Sequence, residues 1–81
     1  MVVEVRYFAS LAQTTGCSCE TMEVADGADV RALWSALVDR HPGLADIRFR
    51  PLVACDSSYA GWRTLLAGVR EVAFLPPVSG G

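Results

Sequence analysis

The chain has 81 residues, of which 52% are hydrophobic, and it carries a net charge of −2 at pH 7. That length suits one small domain with a limited core, and the scattered arginines argue against binding of nucleic acid or an anionic membrane. No apolar run approaches the roughly 20 residues that a membrane-spanning helix needs, and residues 1–5 lack the basic start of a signal peptide. We therefore expect a single domain in the cytoplasm.

The first two predicted elements are strands that form a hairpin. Residues 2–8 alternate between two faces, as expected of a strand with one buried side. The inner positions are Val3, Val5 and Tyr7. The outer positions are Glu4, Arg6 and Phe8, so Phe8 is an apolar residue on the polar side. Residues 10–16 are predicted to be a connection, and residues 19–24 alternate again as the hairpin partner.

The next predicted element is the main helix. Its apolar residues recur at helical spacing and form one stripe, which we expect to face the core. They are Val30, Leu33, Trp34, Leu37 and Val38. Asp29 precedes the stripe as a candidate N-cap, and the sequence His41-Pro42-Gly43 predicts the helix end.

The last predicted elements are two further strands. Residues 51–56 are predicted to be a short strand that starts at Pro51, residues 57–68 are predicted to be irregular, and residues 70–75 form the final strand. Two strands, a helix and two more strands predict an α+β fold, with one helix packed on one face of a mixed sheet. The first and last strands should lie parallel in its middle, because the helix carries the chain back beside the first strand. Val72 and Phe74 should then face the helix.

Residues 76–81 form a predicted tail beyond this domain of residues 1–75. Pro76 and Pro77 stiffen the approach, since proline fixes φ. Gly80 and Gly81 have no Cβ and can follow a channel too narrow for other residues. A stiff segment that ends in two residues without side chains suits delivery of the terminal carboxylate into another protein's active site.

The three cysteines, Cys17, Cys19 and Cys55, are an odd number for a disulfide framework. Cys17 and Cys19 could grip a soft metal, but two thiolates are half of a tetrahedral site, and the only histidine, His41, lies in the helix stop. Reduced thiols and no bound metal are therefore the expectation.

The end of the chain resembles the MoaD/ThiS family of ubiquitin-like β-grasp sulfur carriers. The resemblance is sharpest over residues 71–81, Glu-Val-Ala-Phe-Leu-Pro-Pro-Val-Ser-Gly-Gly, and weaker over residues 5–9, Val-Arg-Tyr-Phe-Ala. Residues 76–79 favour the molybdopterin branch of the family. The chain departs from the family pattern at Asp56, where asparagine is usual, and at residues 67–70, where two acidic groups are usual. The resemblance implies a β-grasp fold with a flexible Gly-Gly tail.

The resemblance also implies a function. An adenylyltransferase similar to ubiquitin-activating enzymes would use ATP to activate Gly81, and a sulfurtransferase would supply the sulfur of a terminal thiocarboxylate. The loaded carrier would insert its tail into the large subunit of molybdopterin synthase, in a heterotetramer, and donate sulfur to cyclic pyranopterin monophosphate for molybdenum cofactor synthesis. The chain has no Gly-rich phosphate loop of its own. It is therefore expected to be a carrier that binds no cofactor, and its catalysts are other proteins.

Docking on such partners requires an apolar surface beside the tail. We expect Leu75 to be exposed, with Phe8 as its neighbour across a parallel strand pair and Tyr59 at the border. For Trp62 two positions are compatible with the sequence, the border of this surface and ordinary packing elsewhere in the domain. The predicted site residues are Gly81 and Gly80 as the reactive end, with Phe8, Tyr59, Leu75, Pro76, Pro77, Val78 and Ser79 as the partner interface.

Three other functions are compatible with these residues. The carrier could serve another sulfur pathway, such as synthesis of the thiamin thiazole or of cysteine. The same acyl-adenylate could react with an amine, which would make the chain a ubiquitin-like protein modifier. The chain could also be a β-grasp interaction module whose tail is inert, in which case the free carboxylate would not matter.

Overall fold

The structure is a computed structural model and describes residues 1–77. Its elements in chain order are β1 (Val2–Tyr7), α1 (Ser10–Thr15), β2 (Cys19–Glu23), α2 (Val30–Arg40), a 3₁₀ helix (Pro42–Asp46), β3 (Leu52–Cys55), β4 (Ser58–Ala60) and β5 (Glu71–Leu75). The four predicted strands are each observed, and each is one or two residues shorter than predicted. Within residues 1–77, no helix is long and apolar enough to cross a membrane.

The strands form one mixed sheet in the order β2-β1-β5-β3-β4. β1 and β5 pair in parallel at the centre, with Val5 opposite Val72, and the other neighbouring strands are antiparallel. The predicted parallel pair is therefore confirmed. The parallel pairing arises because α2 carries the chain from the edge strand β2 across the sheet to β3. β5 then runs antiparallel to β3, and so in the same direction as β1.

The core lies between the sheet and α2. Its sheet side is formed by fully buried residues of β1 and β5, namely Val3, Val5, Val72 and Phe74. Its helix side is formed by Val30, Leu33 and Leu37, which are also fully buried. Burial of each such side chain contributes on the order of 1.5–3 kcal/mol. The predicted stripe is therefore confirmed, with Trp34 and Val38 packed at its margin.

Both predicted ends of α2 are also confirmed. The Asp29 carboxylate accepts a hydrogen bond from the Ala32 N–H at 2.9 Å, which satisfies a donor that the helix itself leaves free. The helix ends at His41, and Pro42 begins the 3₁₀ helix that follows.

Residues 10–16 were predicted to be a connection, and this was wrong, because residues 10–15 form α1. The six-residue helix is held by one fully buried side chain, Leu11. The hydroxyls of Thr14 and Thr15 donate to carbonyls four residues earlier, and Gly16 closes the helix at φ 79°. Gly16 is the residue from which the end of this helix could have been predicted, since glycine is common just past a helix end.

Residues 57–68 were predicted to be irregular, and this was wrong at their start. β4 pairs with β3 in a short hairpin, with Val53 opposite Ala60 and Cys55 opposite Ser58. The turn uses Asp56 and Ser57 at φ 49° and 72°, the left-handed region that two-residue hairpins require. Neither residue is glycine, and so the sequence lacked the usual hairpin signal.

Asp56 also holds β5 in place, and its removal gives a testable prediction. Its carboxylate accepts the backbone N–H groups of Arg70 at 3.1 Å and Glu71 at 3.0 Å. We expect Asp56→Ala to lower the free energy of unfolding by about 2 kcal/mol, because two backbone donors lose a charged acceptor. Chemical denaturation measures this, with Asp56→Asn as the control, since asparagine keeps an acceptor and tolerates positive φ. Equal stability of the alanine variant and the unmodified chain would contradict this role.

Candidate functional site

The last strand presents its two faces to different surroundings. Val72 and Phe74 are fully buried and face α2, as predicted. Because neighbouring side chains of a strand alternate, Glu71, Ala73 and Leu75 point to the other side of the sheet. There they line a shallow depression of about 320 Å³ together with Phe8 and Tyr59.

The outer side of the sheet carries an apolar patch that we call the docking face, formed by Phe8, Leu52, Tyr59 and Leu75. Phe8 is 41% exposed, Tyr59 is 75% exposed and Leu75 is half-buried. The Phe8 N–H donates to the Phe74 carbonyl at 3.1 Å, which continues the parallel ladder and sets Phe8 beside Leu75. The structure thus brings together the three sequence-predicted residues Phe8, Tyr59 and Leu75.

Leu52 is a member of the docking face that the sequence analysis missed. It lies directly opposite Leu75 in the β3–β5 pair and is 36% exposed. Residues directly opposite each other in a pair share a face of the sheet. The available signal was the alternation of Leu52 with the buried Val53, which assigns Leu52 to the outer side once the strand is recognised.

The docking face has a polar border at Arg6 and Glu71. Their side chains lie 3.7 Å apart, and the Arg6 guanidinium lies 5.9 Å from the centre of the Phe8 ring. Exposed ion pairs of this kind add about 0–1 kcal/mol to stability. An apolar centre with a charged border is instead typical of protein–protein interfaces.

The tail continues from this patch. β5 ends at Leu75, Pro76 is half-buried and Pro77 is exposed. The remaining predicted site residues, Val78, Ser79, Gly80 and Gly81, lie outside the described residues. The docking face is therefore adjacent to the point where the chain leaves the sheet.

Trp62 belongs to the opposite side of the sheet. Its ring lies 5.7 Å from the ring of Trp34 and 6.0 Å from that of Phe74, measured between centroids. Because Phe74 faces α2, Trp62 packs against the core, and its possible place beside Leu75 is excluded. The Trp34 ring lies 4.9 Å from the Phe74 ring, measured between centroids, and so Trp34 packs against the margin of the core.

A group of polar side chains lies beneath the C-terminal end of α2. Glu20 is at its centre and accepts hydrogen bonds from the Tyr7 hydroxyl at 2.5 Å and from Arg40 at 2.9 Å. His41 Nε2 lies 2.6 Å from the same carboxylate. Burial, followed by the contact with Glu20, raises the pKa of Tyr7 far above its ordinary value, so this hydroxyl remains a donor.

Glu20 is ionised in this surrounding. Burial opposes its ionisation, but the hydrogen bonds from Tyr7 and His41 and the positive charge of Arg40 outweigh burial, and its pKa is lowered. Its side chain is only 15% exposed, and so solvent screens these contacts weakly.

The lowered pKa of Glu20 predicts how stability depends on pH. The stabilisation is fully present above the unfolded-state pKa, about 4.3, and is lost as pH falls through the lower folded-state pKa. We expect Glu20→Gln to be less stable than the unmodified chain at pH 7, with the difference shrinking as pH falls below about 4. Urea denaturation in metal-free buffer across this range measures it. The control Glu23→Gln, at an exposed position of the same strand, should show no such convergence. A constant difference for Glu20→Gln would contradict the assignment.

The three cysteines are unpaired, in agreement with the expected reduced thiols. Cys19 is exposed and pairs with Arg6, which places it on the outer side of the sheet, so it does not share a site with Cys17. Cys17 Sγ instead lies within 4.8 Å of a Glu20 carboxylate oxygen and a His41 ring nitrogen. Burial, followed by the charge of Asp56, raises the pKa of the Cys55 thiol, which disfavours a reactive thiolate there.

Several known proteins are similar to this chain in sequence and in fold. The ThiS family matches residues 5–81. The human molybdopterin synthase sulfur carrier subunit is 39% identical, over 98% of this chain and 93% of its own length. The structure of SAMP1 from Haloferax volcanii, a small archaeal modifier protein, has a TM-score of 0.87 and 30% identity over 100% of both chains. A chain in the complex of subunits 1 and 2 of the molybdopterin-converting factor from Helicobacter pylori has a TM-score of 0.65 and 26% identity, again over 100% of both chains.

The comparisons agree with the geometry on the fold. A five-stranded mixed sheet with parallel central strands and one main helix on one face is the ubiquitin-like β-grasp, as expected from residues 71–81. The family match begins in β1 and runs through the Gly-Gly end, and so includes both the docking face and the tail. The chain is therefore a member of the ThiS family.

Proposed function

We propose that this chain is the sulfur carrier subunit of molybdopterin synthase and that it delivers sulfur on Gly81. The observation that carries the proposal is the position of the docking face, which surrounds Leu75 at the end of the strand that leads directly into the Pro-Pro and Gly-Gly tail. A partner that binds Phe8, Leu52 and Leu75 would therefore receive the tail as it leaves the sheet. The identity of 39% to a human protein of that name supports the choice of pathway.

The chemistry starts from an unreactive carboxylate. Attack of the Gly81 carboxylate on the α-phosphate of ATP releases pyrophosphate and forms an acyl-adenylate. Sulfide then displaces AMP, which leaves with one of the original carboxylate oxygens, and Gly81 ends in a thiocarboxylate. When the nucleophile is a persulfide, the displacement gives an acyl disulfide, and a second thiol must attack the sulfur of the donor to release the thiocarboxylate and form a disulfide. Thioacids are stronger acids than thiols, and so this sulfur is an anionic nucleophile at neutral pH.

The chain itself supplies no catalyst for these steps. Its sequence contains neither a lysine nor a Gly-rich phosphate-binding loop. Adenylation is assigned to an adenylyltransferase similar to ubiquitin-activating enzymes, which uses ATP, and sulfur supply to a sulfurtransferase. This chain is the non-catalytic subunit, and the ATP is bound by the adenylyltransferase.

The large subunit of molybdopterin synthase is the proposed acceptor complex. The Helicobacter pylori neighbour is one subunit of a complex of two, and the docking face here has the apolar centre and charged border of a partner contact. The large subunit would hold cyclic pyranopterin monophosphate, and two loaded carriers in turn would give it two sulfur atoms. The assembly would be a heterotetramer.

Intact mass spectrometry tests the first step. The chain is incubated with the adenylyltransferase, ATP and a sulfur donor, and we expect a mass gain equal to replacement of one oxygen by sulfur. Addition of the large subunit and cyclic pyranopterin monophosphate should return the mass to its starting value and produce a dithiolene. Absence of any gain, with an enzyme shown to be active on another carrier, would overturn the proposal.

The second candidate function is a ubiquitin-like protein modifier. The similarity to SAMP1 favours it, because that protein is a small archaeal modifier protein. The same acyl-adenylate would then react with a lysine amine of a target protein. Covalent adducts in cell extract that disappear on removal of Gly80 and Gly81 would favour this function, provided that the mass assay detects no sulfur.

A further inference from the structure

We infer that Cys17, Glu20 and His41 form a Zn²⁺ site, separate from the docking face. The three donors come from different parts of the fold. Cys17 lies between α1 and β2, Glu20 lies in β2 and His41 caps the C-terminal end of α2. A thiolate sulfur, a carboxylate oxygen and a ring nitrogen, one from each residue, lie within 4.8 Å of one another.

The donor set and spacing fit zinc. Zinc takes cysteine, histidine and carboxylate ligands in tetrahedral geometry, with bonds of about 2.0–2.3 Å, which places ligand atoms about 3.3–3.6 Å apart. His41 Nε2 and Glu20 now lie 2.6 Å apart, and so these two atoms must separate slightly while the sulfur approaches.

The charges also fit zinc. One thiolate, one carboxylate and one neutral imidazole balance the two positive charges of the ion, and the Arg40 guanidinium, 2.9 Å from Glu20, stays outside the ligand set. A neutral complex is favourable here because the surroundings are half-buried, with Glu20 15% and His41 18% exposed. The fourth position would be taken by water or by a ligand from solvent, as in open zinc sites.

Neighbouring side chains already orient the ligands. The Tyr7 hydroxyl and Arg40 both donate to the Glu20 carboxylate, and the Thr15 hydroxyl lies 3.8 Å from Cys17 Sγ. Outer contacts of this kind hold metal ligands in position and tune their basicity. Bound zinc would join the loop after α1, the edge strand β2 and the end of α2. In an 81-residue domain such a link would add stability that the small core does not supply.

Cobalt and zinc titrations of the chelator-treated full chain test the site. Co²⁺ should give a thiolate-to-metal charge-transfer band together with the visible bands of tetrahedral cobalt. Zn²⁺ should displace it and raise the unfolding temperature. Cys17→Ser should abolish the charge-transfer band and weaken zinc binding by more than about 100-fold, since loss of a ligand exceeds the roughly 10- to 100-fold effect of an outer contact. His41→Gln should weaken zinc binding to a similar extent.

The matched control is Cys19→Ser, which removes a thiol two residues away on the other side of the sheet and should leave both titrations unchanged. Circular dichroism confirms that each variant is folded. Absence of a charge-transfer band in the unmodified chain would overturn the inference. So would a band that survives Cys17→Ser, or one that is lost in Cys19→Ser or Cys55→Ser.

Discussion

Deletion of Gly81 is expected to abolish sulfur loading while leaving the fold unchanged. The deletion moves the terminal carboxylate back by about 3.3–3.6 Å, the length of one extended residue. A misplacement of about 1 Å can already cost 10²-fold in rate, and so we expect loading to fall by at least that factor. The fold should persist because Phe74 is the last buried residue within residues 1–77. Intact mass measures the loading and thermal unfolding measures the fold.

Two further variants distinguish the effect of the carboxylate position from the effect of having no side chain at residue 81. One extra alanine after Gly81 moves the carboxylate forward and should also prevent loading. Gly81→Ala keeps the carboxylate in register but adds a Cβ, and should retain partial loading if the channel of the enzyme tolerates it. Normal loading of the deletion variant would exclude Gly81 as the carrier residue. Normal pterin sulfuration by the extended variant would favour an inert tail.

Leu75→Glu is expected to have the second largest effect, on binding of the large subunit. Leu75 lies at the centre of the docking face, opposite Leu52 and beside Phe8. A carboxylate there would lose its hydration in an apolar contact. Hot-spot residues cluster near the centre of interfaces and cost about 2–4 kcal/mol when truncated, which is roughly a 30- to 1,000-fold loss of affinity. Isothermal titration against the purified large subunit measures it.

Leu65→Glu is the matched control for this substitution. Leu65 is 61% exposed and pairs with Asp29 at the start of α2, away from the docking face. The same chemical change there should leave affinity unchanged. Both variants should unfold at temperatures close to that of the unmodified chain, since neither position is fully buried. Equal affinity of Leu75→Glu and the unmodified chain would remove Leu75 from the interface.

The structure was needed to show which side chains of distant strands share a face of the sheet. Leu52 joins the docking face because β3 pairs with β5 in a particular register, and no spacing within residues 51–56 specifies that partner. The sequence could not decide whether Trp62 borders the docking face or packs elsewhere in the domain, because its loop carries no periodic pattern that assigns a side of the sheet. α1 and β4 are short elements held by one buried leucine and by a turn without glycine. Local sequence signals for such elements are weak, because tertiary contacts stabilise them.

The sequence by itself determined the elements with a clear period, and it supplied the hypothesis for the end of the chain. The alternation in β1 and β5, the apolar stripe of α2 and its Asp29 cap depend on neighbouring residues, and each agrees with the structure. The residue types of the Pro-Pro and Gly-Gly tail suit delivery of a terminal carboxylate, and the role of sulfur carrier is what the resemblance to the MoaD/ThiS family implies. Only the tertiary structure decided that Cys17 and Glu20 meet His41, a residue more than 20 positions later. That contact depends on where the end of α2 crosses the β1–β2 hairpin, and helix–sheet packing sets this position without leaving a local sequence pattern.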